Sequence, residues 1–405
     1  MRVRVPPAEQ KEKDMQLKVF TAFSGYDSQC MALDRLGIGY ELVGWSEIDK
    51  YAIQAHNAVY PQYRDRNFGD ICHIDWAKVP DFDLFTYSFP CTDISTAGKQ
   101  AGLEKGSGTR SSLLWECEKA IETKMPKYLL MENVKALVSK KFINYFNEWV
   151  SYLQSIGYSN FWQVINAKDY GVLQNRERFF VVSILANNEQ YKFPKPFELT
   201  KRLSDVLEEC VDEKYYLPEK TYNGIISHFD RKVSEGCGFK PQFIENNGVC
   251  GTIATKYGQR HTDPYIIQKG RGYVKTKKFE LYPTVTSHSF EQNNFAFVSY
   301  TRDKKGNVVD RHLKDIANTV HTSTGSAGNT DCFVYDGNIR RLTPRECFRL
   351  MGVSETDIDK IQEAGISNRQ QYKMAGNSIV VDVLFHIFRK LFTDKSCESI
   401  QKKLF

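Results

Sequence analysis

The strongest constraint on this chain is a rhythm in its first 185 residues. Short apolar runs of strand length recur at Leu17–Phe23, Glu41–Ser46, Asp83–Phe89, Tyr128–Met131 and Phe179–Leu185, with helical patterns between them. Between the third and fourth runs, Leu113, Leu114, Cys117, Ala120 and Ile121 fall on one helical face. Ser112 is placed to cap that helix, and Pro126 lies just past its end. Strands that alternate with helices need crossover connections, which predicts an α/β fold: a doubly wound, mostly parallel sheet with helices on its faces.

The rhythm stops at the turn-rich segment Lys192-Phe-Pro-Lys-Pro196 and returns only after Arg340. The spacing therefore predicts a loose tail at 1–16, a first domain at 17–190, an irregular inserted domain at 191–335, and a return to the first domain at 336–405. The insertion is basic. Residues 251–314 hold 12 Lys/Arg against 5 acids, a balance of +7, more than the +6 of the whole 405-residue chain. Interleaved aromatics make it a candidate polyanion surface, with a merely solvated face as the competing reading. Lys269, Arg271, Lys275, Lys277 and Lys278 are its candidate nucleic-acid contacts.

After the insertion, Thr343-Pro-Arg-Glu346 carries three helix-start signals: a capping hydroxyl, a proline at the first helical position, and a glutamate able to complete a capping box. Gly352 is a plausible stop. The last segment places Ile379, Val380, Val383, Leu384, Ile387, Phe388, Leu391 and Phe392 in one stripe, which predicts docking on the first domain. Charges at Asp382, Arg389 and Lys390 interrupt it too often for a membrane span, and no apolar run reaches the length of one. The N-terminus lacks the apolar core of a signal peptide. Ten cysteines form no Cys-x-x-Cys pair, which argues against a zinc knuckle or a dithiol redox site and for reduced thiols in a cytosol. No metal is expected.

In an open parallel sheet, ligands bind beyond the carboxyl ends of the strands. After the first run stands Phe23-Ser-Gly-Tyr-Asp27, a tight turn into a helix whose free N–H groups face outward. After the second stands Glu47, about 20 residues on, where a carboxylate suits a ribose diol. Asp70, in Gly69-Asp-Ile71, suits an adenine amine. These three points have the logic of a nucleoside cofactor pocket. After the third run comes Ser88-Phe-Pro-Cys91, a candidate nucleophile on a rigid turn, although a lone Pro-Cys is more often a structural thiol. After the fourth comes Glu132-Asn-Val134. Gln174-Asn-Arg-Glu-Arg178 adds two arginines, for which a surface ion-pair cluster is the bland alternative.

One reaction uses all of these groups. Carbon-5 of cytosine is a poor nucleophile until a thiolate adds to carbon-6, after which it can attack a methyl group. An acid at ring nitrogen-3 and the exocyclic amine absorbs the developing charge, and an arginine holds carbonyl oxygen-2. The methyl donor is a nucleoside sulfonium. A stacked base must be flipped out of the duplex, at a cost of a few kcal/mol.

On these residues the chain resembles the cytosine-5 DNA methyltransferases, especially the bacterial and phage enzymes of restriction-modification type. The blocks stand in the family's order: Phe23-x-Gly25, Glu47, Gly69-Asp70-Ile71, Phe89-Pro90-Cys91-Thr92-Asp93-Ile94-Ser95, Glu132-Asn133-Val134, Gln174-x-Arg176-x-Arg178, Arg340-x-Leu-Thr-Pro-Arg-Glu346 and Gly376-Asn377-Ser378. They cover about residues 17–185 and 338–392.

The resemblance implies a Rossmann-like, S-adenosylmethionine-dependent methyltransferase sheet with a target recognition domain at 191–335. It implies Cys91 as nucleophile, Glu132 as the acid on the base, and Arg178 on the flipped cytosine with Arg176 alongside. It places S-adenosylmethionine, and the product S-adenosylhomocysteine, among Phe23, Ser24, Gly25, Glu47, Ile48, Asp70, Ile71, Pro90, Leu113, Asn377 and Ser378. The expected partner is double-stranded DNA, the expected state a monomer, and the expected location a bacterial cytoplasm, associated with the nucleoid. The sequence departs from the family at Asp27, where the first loop usually has its second glycine, at Ile48, where many relatives carry Trp, and at Thr92, which replaces Gln. A transfer RNA cytosine-5 methyltransferase and a catalytically silent DNA-binding relative are the alternatives. Intact Cys91, Glu132 and Arg178 speak against the second. Amino methylation would need an Asp/Asn/Ser-Pro-Pro-aromatic loop, to which Asp263-Pro264-Tyr265 is only a partial match.

Overall fold

The computed structural model describes residues 16–91, 109–186, 190–235, 242–244, 248–257, 263–267, 297–302, 308–314, 333–334 and 339–393. The expected tail at 1–16, save its last residue, lies outside them. The chain divides into two compact units, Met1–Val172 with Arg176–Leu199 and Met351–Phe405, and Leu173–Asn175 with Thr200–Leu350.

The first unit is built on six strands: β1 (Leu17–Ala22), β2 (Tyr40–Ser46), β3 (Leu84–Tyr87), β4 (Tyr128–Val134), β5 (Tyr158–Asn166) and β6 (Glu177–Leu185). Their order across the sheet is β2-β1-β3-β4-β6-β5. The ladders β1–β2, β1–β3 and β3–β4 are parallel. Those of β6 with β4 and with β5 are antiparallel. The expectation of a mostly parallel sheet thus holds for the first four strands and fails at the far edge. β5 escaped the sequence reading for a physical reason. It is an edge strand, its burial does not alternate cleanly, and its Trp162 is half exposed.

One face of the sheet, including Phe20, Phe85, Tyr87, Met131, Phe179 and Val181, packs on helices α3 (Leu114–Lys124) and α4 (Ile143–Ser155) through Trp115, Cys117, Ile121, Phe146, Trp149 and Leu153. Trp149 meets Tyr87 and Trp115 edge-on and donates its indole N–H to the Tyr87 hydroxyl at 3.2 Å. That bond removes the cost of burying both polar atoms in an aromatic core. Ser112 is not the cap of this helix. A 3-10 turn, Arg110–Leu113, leads into α3, and Thr109 Oγ1 accepts the Ser112 N–H instead. The lead-in turn shifts the free N–H groups one turn upstream of the apolar periodicity.

Helix α1 (Ser28–Leu36) follows β1 and α2 (Lys50–Val59) follows β2. The C-terminal stripe forms a helix at Val381–Phe388 that packs on α1, continued by a π-helical turn, Arg389–Thr393. Phe392 closes it, edge-on against Tyr128. Residues 191–199 belong with this unit and not with the insertion. Tyr191 lies tilted against Phe161 and donates to the Ile387 carbonyl, and the Phe197 N–H donates to the Asp169 carbonyl.

The second unit holds α5 (Glu219–Ser234) and two three-stranded sheets. In one, β8 (Pro264–Ile267) lies between β7 (Gln242–Ile244), to which it is parallel, and the antiparallel β12 (Ile339–Arg341). In the other, β9 (Phe297–Arg302) lies between β10 (Val308–Lys314) and β11 (Phe333–Val334). Asp263 and Tyr265 are buried, Tyr265 on β8, where no loop chemistry is possible. Residues 336–350 sit with this unit because β12 pairs with β8 and helix α6 (Pro344–Arg349) follows directly. The predicted capping box forms: Thr343 accepts the Glu346 N–H, and Glu346 accepts the Thr343 N–H. Helices α7 (Glu355–Glu363), α8 (Asn368–Asn377) and α9 (Val381–Phe388) complete the chain in the first unit.

Candidate active site

The turn after β1 is unusual backbone. Phe23, Gly25 and Asp27 all have positive φ, at 55°, 60° and 68°. Only glycine adopts this region freely, so two non-glycine residues there require local compensation. Asp27 supplies it. Its Oδ1 accepts the Cys30 N–H as the N-cap of α1, and its Oδ2 accepts the Thr21 hydroxyl at 2.9 Å. The departure from the family's second glycine therefore has a structural reason, a buried cap.

Of the other residues expected around the cofactor, Glu47 is tied directly to this turn. The Gly25 N–H donates to Glu47 Oε2 at 3.0 Å, and Glu47 Oε1 accepts the Ile48 and Asp49 N–H groups at 2.8 Å. A Cβ at Gly25 would meet nothing within 4 Å, and neither would one at Gly69. Ser24 is buried, yet its hydroxyl has no hydrogen-bond partner among the described residues. Ile48 is 70% exposed beside Glu47, an apolar side chain left open among the described residues. Ser46 donates to the Gly69 carbonyl, which holds the Gly69-Asp70 turn against the end of β2. Asp70 caps the short turn Ile71–His73, with Ile71 buried beneath. Phe23 and Leu113 pack against the same core cluster as Cys91. Ser378 touches Ser28 through its hydroxyl, and Asn377 is exposed. Open space over two glycines, an unpaired buried hydroxyl, a positioned carboxylate and a bare apolar side chain fit a nucleoside bearing an amino-acid tail.

Cys91 follows β3 on a loop pinned from both sides. Asn133 donates to the Phe89 carbonyl at 3.0 Å, and Ser111 donates to the Pro90 carbonyl at 2.8 Å. Phe89 is buried as the anchor of the turn. Residues 92–108, including Thr92, lie outside the described residues. Glu132, near the end of β4, takes the guanidinium Nε of Arg178, on the neighbouring β6, at 3.2 Å, and accepts a short hydrogen bond from the Ser88 hydroxyl. Burial first, and then the Glu132 charge, hold the Cys91 thiol above its ordinary pKa, while Arg178 and Arg176 act in the opposite direction. Cys91, Glu132 and Arg178 thus form one electrostatic cluster at the carboxyl ends of β3 and β4.

Arg176 differs from Arg178. It is fully buried and donates to the carbonyls of Gly376 and Ser378 at 2.9 and 2.8 Å, tying the Gly376-Asn377-Ser378 block to the site. Burial and the Arg178 charge press its pKa down. Sequence reading missed Ser88 and Ser111, because a serine beside a motif carries no signal until the loop is folded. Lys269, Arg271, Lys275, Lys277 and Lys278 lie outside the described residues. Among the described residues, no group of three or more His, Cys, Asp or Glu is placed to hold a metal, and no helix is long and apolar enough to cross a membrane.

A family model, C-5 cytosine-specific DNA methylase, matches residues 17–393. The chain belongs to that family. It is a cytosine-5 DNA methyltransferase of a kind whose cofactor is S-adenosylmethionine. It is 36% identical to the type II methyltransferase M2.ScrFI of Lactococcus lactis subsp. cremoris, over 93% of this chain and 99% of that protein. Its identity to the orphan methyltransferase M.SPRI of Bacillus phage SPR is 32%, over 93% and 97%. Among solved structures, the Entamoeba histolytica methyltransferase EhMeth superposes with a TM-score of 0.63 at 16% identity, over 94% of this chain and 99% of that one. The Dnmt2 methyltransferase of S. pombe superposes at 0.62 and 17% identity, over the same shares. These two show that the family's fold is shared.

Proposed function

We propose that Cys91, Glu132 and Arg178 carry the methylation of carbon-5 in a cytosine extruded from double-stranded DNA. The observation that supports this reading best is the Arg178–Glu132 pair at 3.2 Å, set beside Cys91 by adjacent strands. S-adenosylmethionine, when bound, supplies an electrophilic methyl group. Gly25, with its open face, would receive that ligand's backbone-like tail, Glu47 its ribose hydroxyls, Asp70 its amine, and Ile48 its ring, with the Ser24 hydroxyl as a further partner.

Cys91 gives up its proton and adds Sγ to carbon-6. The displaced electron pair moves through the ring toward nitrogen-3, where Glu132 meets the charge, and carbon-5 becomes nucleophilic. Arg178 sits beside Glu132 to hold carbonyl oxygen-2. Carbon-5 would take the methyl group as its bond to the donor sulfur breaks, and loss of the carbon-5 proton to solvent with expulsion of Sγ as thiolate would restore the aromatic ring, the thiolate regaining its proton from solvent. Burial and the Glu132 charge favour the protonated thiol at rest, and the neighbouring Arg178 and Arg176 charges favour the thiolate that attacks.

Phosphate contacts are assigned to the second unit, with Lys269, Arg271, Lys275, Lys277 and Lys278 as first candidates for neutralising the backbone. The reading predicts a monomer acting on duplex DNA in a bacterial cytoplasm. The test is to incubate the protein and S-adenosylmethionine with duplex DNA carrying 5-fluorocytosine in its recognition site. A denaturation-resistant complex mapped to Cys91 is the expected result. A complex mapped elsewhere, or methylation without any trapped complex, would overturn the assignment.

A further inference from the structure

The mechanism does not use Asp27, a buried carboxyl group at the loop after β1. Its side chain has no exposure, it stands two residues from Gly25, and its backbone takes a left-handed conformation that is uncommon for a residue with a Cβ. A carboxylate out of water is costly unless paired. Its partners are a hydroxyl, an N–H and one imidazole edge. His56, also buried and stacked on Trp45 with centroids 3.7 Å apart, brings Nε2 to 3.4 Å from Asp27 Oδ2. Among the described residues, no lysine or arginine lies within ion-pair distance of Asp27. A neutral Asn or Ser would cap α1 equally well. The choice of a charged cap at this turn is what needs explaining.

We infer that Asp27 is a specificity-determining residue of the cofactor loop, which discriminates in favour of a cationic sulfonium ligand and against its neutral thioether product. The inference rests on the proposed cofactor role of Phe23–Gly25. S-adenosylmethionine carries one positive charge more, at sulfur, than S-adenosylhomocysteine. The N-terminus of α1 points partial positive charge at the same turn, and it disfavours a cation there. A carboxylate at the cap reverses that sign. In the low-dielectric setting its field extends past its own hydrogen bonds. Behind the burial that dominates each case, the Asp27 charge helps raise the pKa of Cys30, Asp34, Tyr40 and Tyr60. Discrimination of this kind limits product inhibition, because apart from the transferred methyl group and its charge the two ligands are the same.

The test is calorimetric titration of S-adenosylmethionine and S-adenosylhomocysteine into the full-length protein and its Asp27→Asn variant. Asn keeps the cap and tolerates the left-handed backbone, and loses only the charge. The expected result is a Kd for S-adenosylmethionine raised about tenfold, with that for S-adenosylhomocysteine changed less than about threefold. Equal loss for both ligands, or no loss for either, would overturn the inference. If Asp27→Asn does not fold, Asp27→Gly carries the same measurement, since glycine meets the backbone requirement without a side chain. Failure of the unaltered protein to bind either ligand would instead remove the cofactor reading on which the inference rests.

Discussion

Two arginine–glutamate pairs, one in each unit, show how the same chemistry serves opposite ends. In the second unit, Arg340 and Glu346 are both fully buried and meet in two bonds of 2.7 and 2.8 Å. Glu346 also accepts the Thr343 and Glu208 N–H groups at 2.8 Å. Its oxygens are saturated, and the pair fastens β12 to the start of α6. In the first unit, Arg178 meets Glu132 through one contact at 3.2 Å, with side chains 19% and 7% exposed, and among the described residues Glu132 otherwise takes only the Ser88 hydroxyl. That carboxylate keeps capacity for another partner. A saturated pair stores stability, whereas an unsaturated pair at a strand end is available to a substrate.

The contrast can be broken by mutation. The largest effect is expected at Cys91, beside the unsaturated pair. Cys91→Ser should lower methyl transfer by about a thousandfold or more, because a hydroxyl is a far weaker nucleophile, and leave DNA binding and melting temperature intact. Tritiated methyl incorporation and a thermal melt measure both, and turnover near that of the unaltered protein would contradict the covalent route. Next is the saturated pair. Arg340→Met strands a buried carboxylate and should cost about 3–5 kcal/mol of stability in the second unit. Urea unfolding followed by far-ultraviolet circular dichroism reads this, since all five tryptophans, at 45, 76, 115, 149 and 162, lie in the first unit and are blind to it.

The third expectation sharpens the comparison from the other side. Glu132→Gln should lower kcat by about 2–4 kcal/mol in barrier height while the melting temperature moves little, as for a lost stabiliser of developing charge. A large loss of stability with kcat preserved would make the two pairs alike. The smallest effect concerns pH. The Cys91 thiol is held above its ordinary pKa by burial and by Glu132, so its alkylation by iodoacetamide should accelerate with rising pH beyond the range of a free thiol. Removing the neighbouring negative charge in Glu132→Gln favours the thiolate, and the alkylation profile should move to lower pH. Peptide mapping distinguishes Cys91 from the exposed Cys72 and Cys210. A shift to higher pH would mean that Glu132 does not act on the thiol.

The candidate site was legible in part. Cys91, Glu132 and Arg178 stand at or near strand ends, where a side chain is freed from the core, but position alone left a structural thiol, a loop carboxylate and a surface ion-pair cluster as competing readings, and it was the family resemblance that singled the three out. The apolar stripe from Ile379 onward could be assigned a buried role for the same reason, and it packs on α1. Other features had no linear trace. Nothing in Tyr158–Asn166 announces an edge strand, since only two of its nine side chains are buried and the others tolerate either polarity. Arg176 and Arg178 look equivalent two residues apart, yet one is fixed on backbone carbonyls 200 residues away and the other on a neighbouring carboxylate.

The sequence by itself determined the sheet's first four strands, the order of the functional blocks, and the chemistry of the groups they carry, because these depend on local periodicity and on side-chain identity. Only the tertiary structure decided which partner each charged group finds, where Asp27 points, and where one unit ends and the other begins. Those outcomes depend on hydrogen bonds and packing between residues far apart in the chain, and the energy of such contacts exists only once the backbone has brought them together.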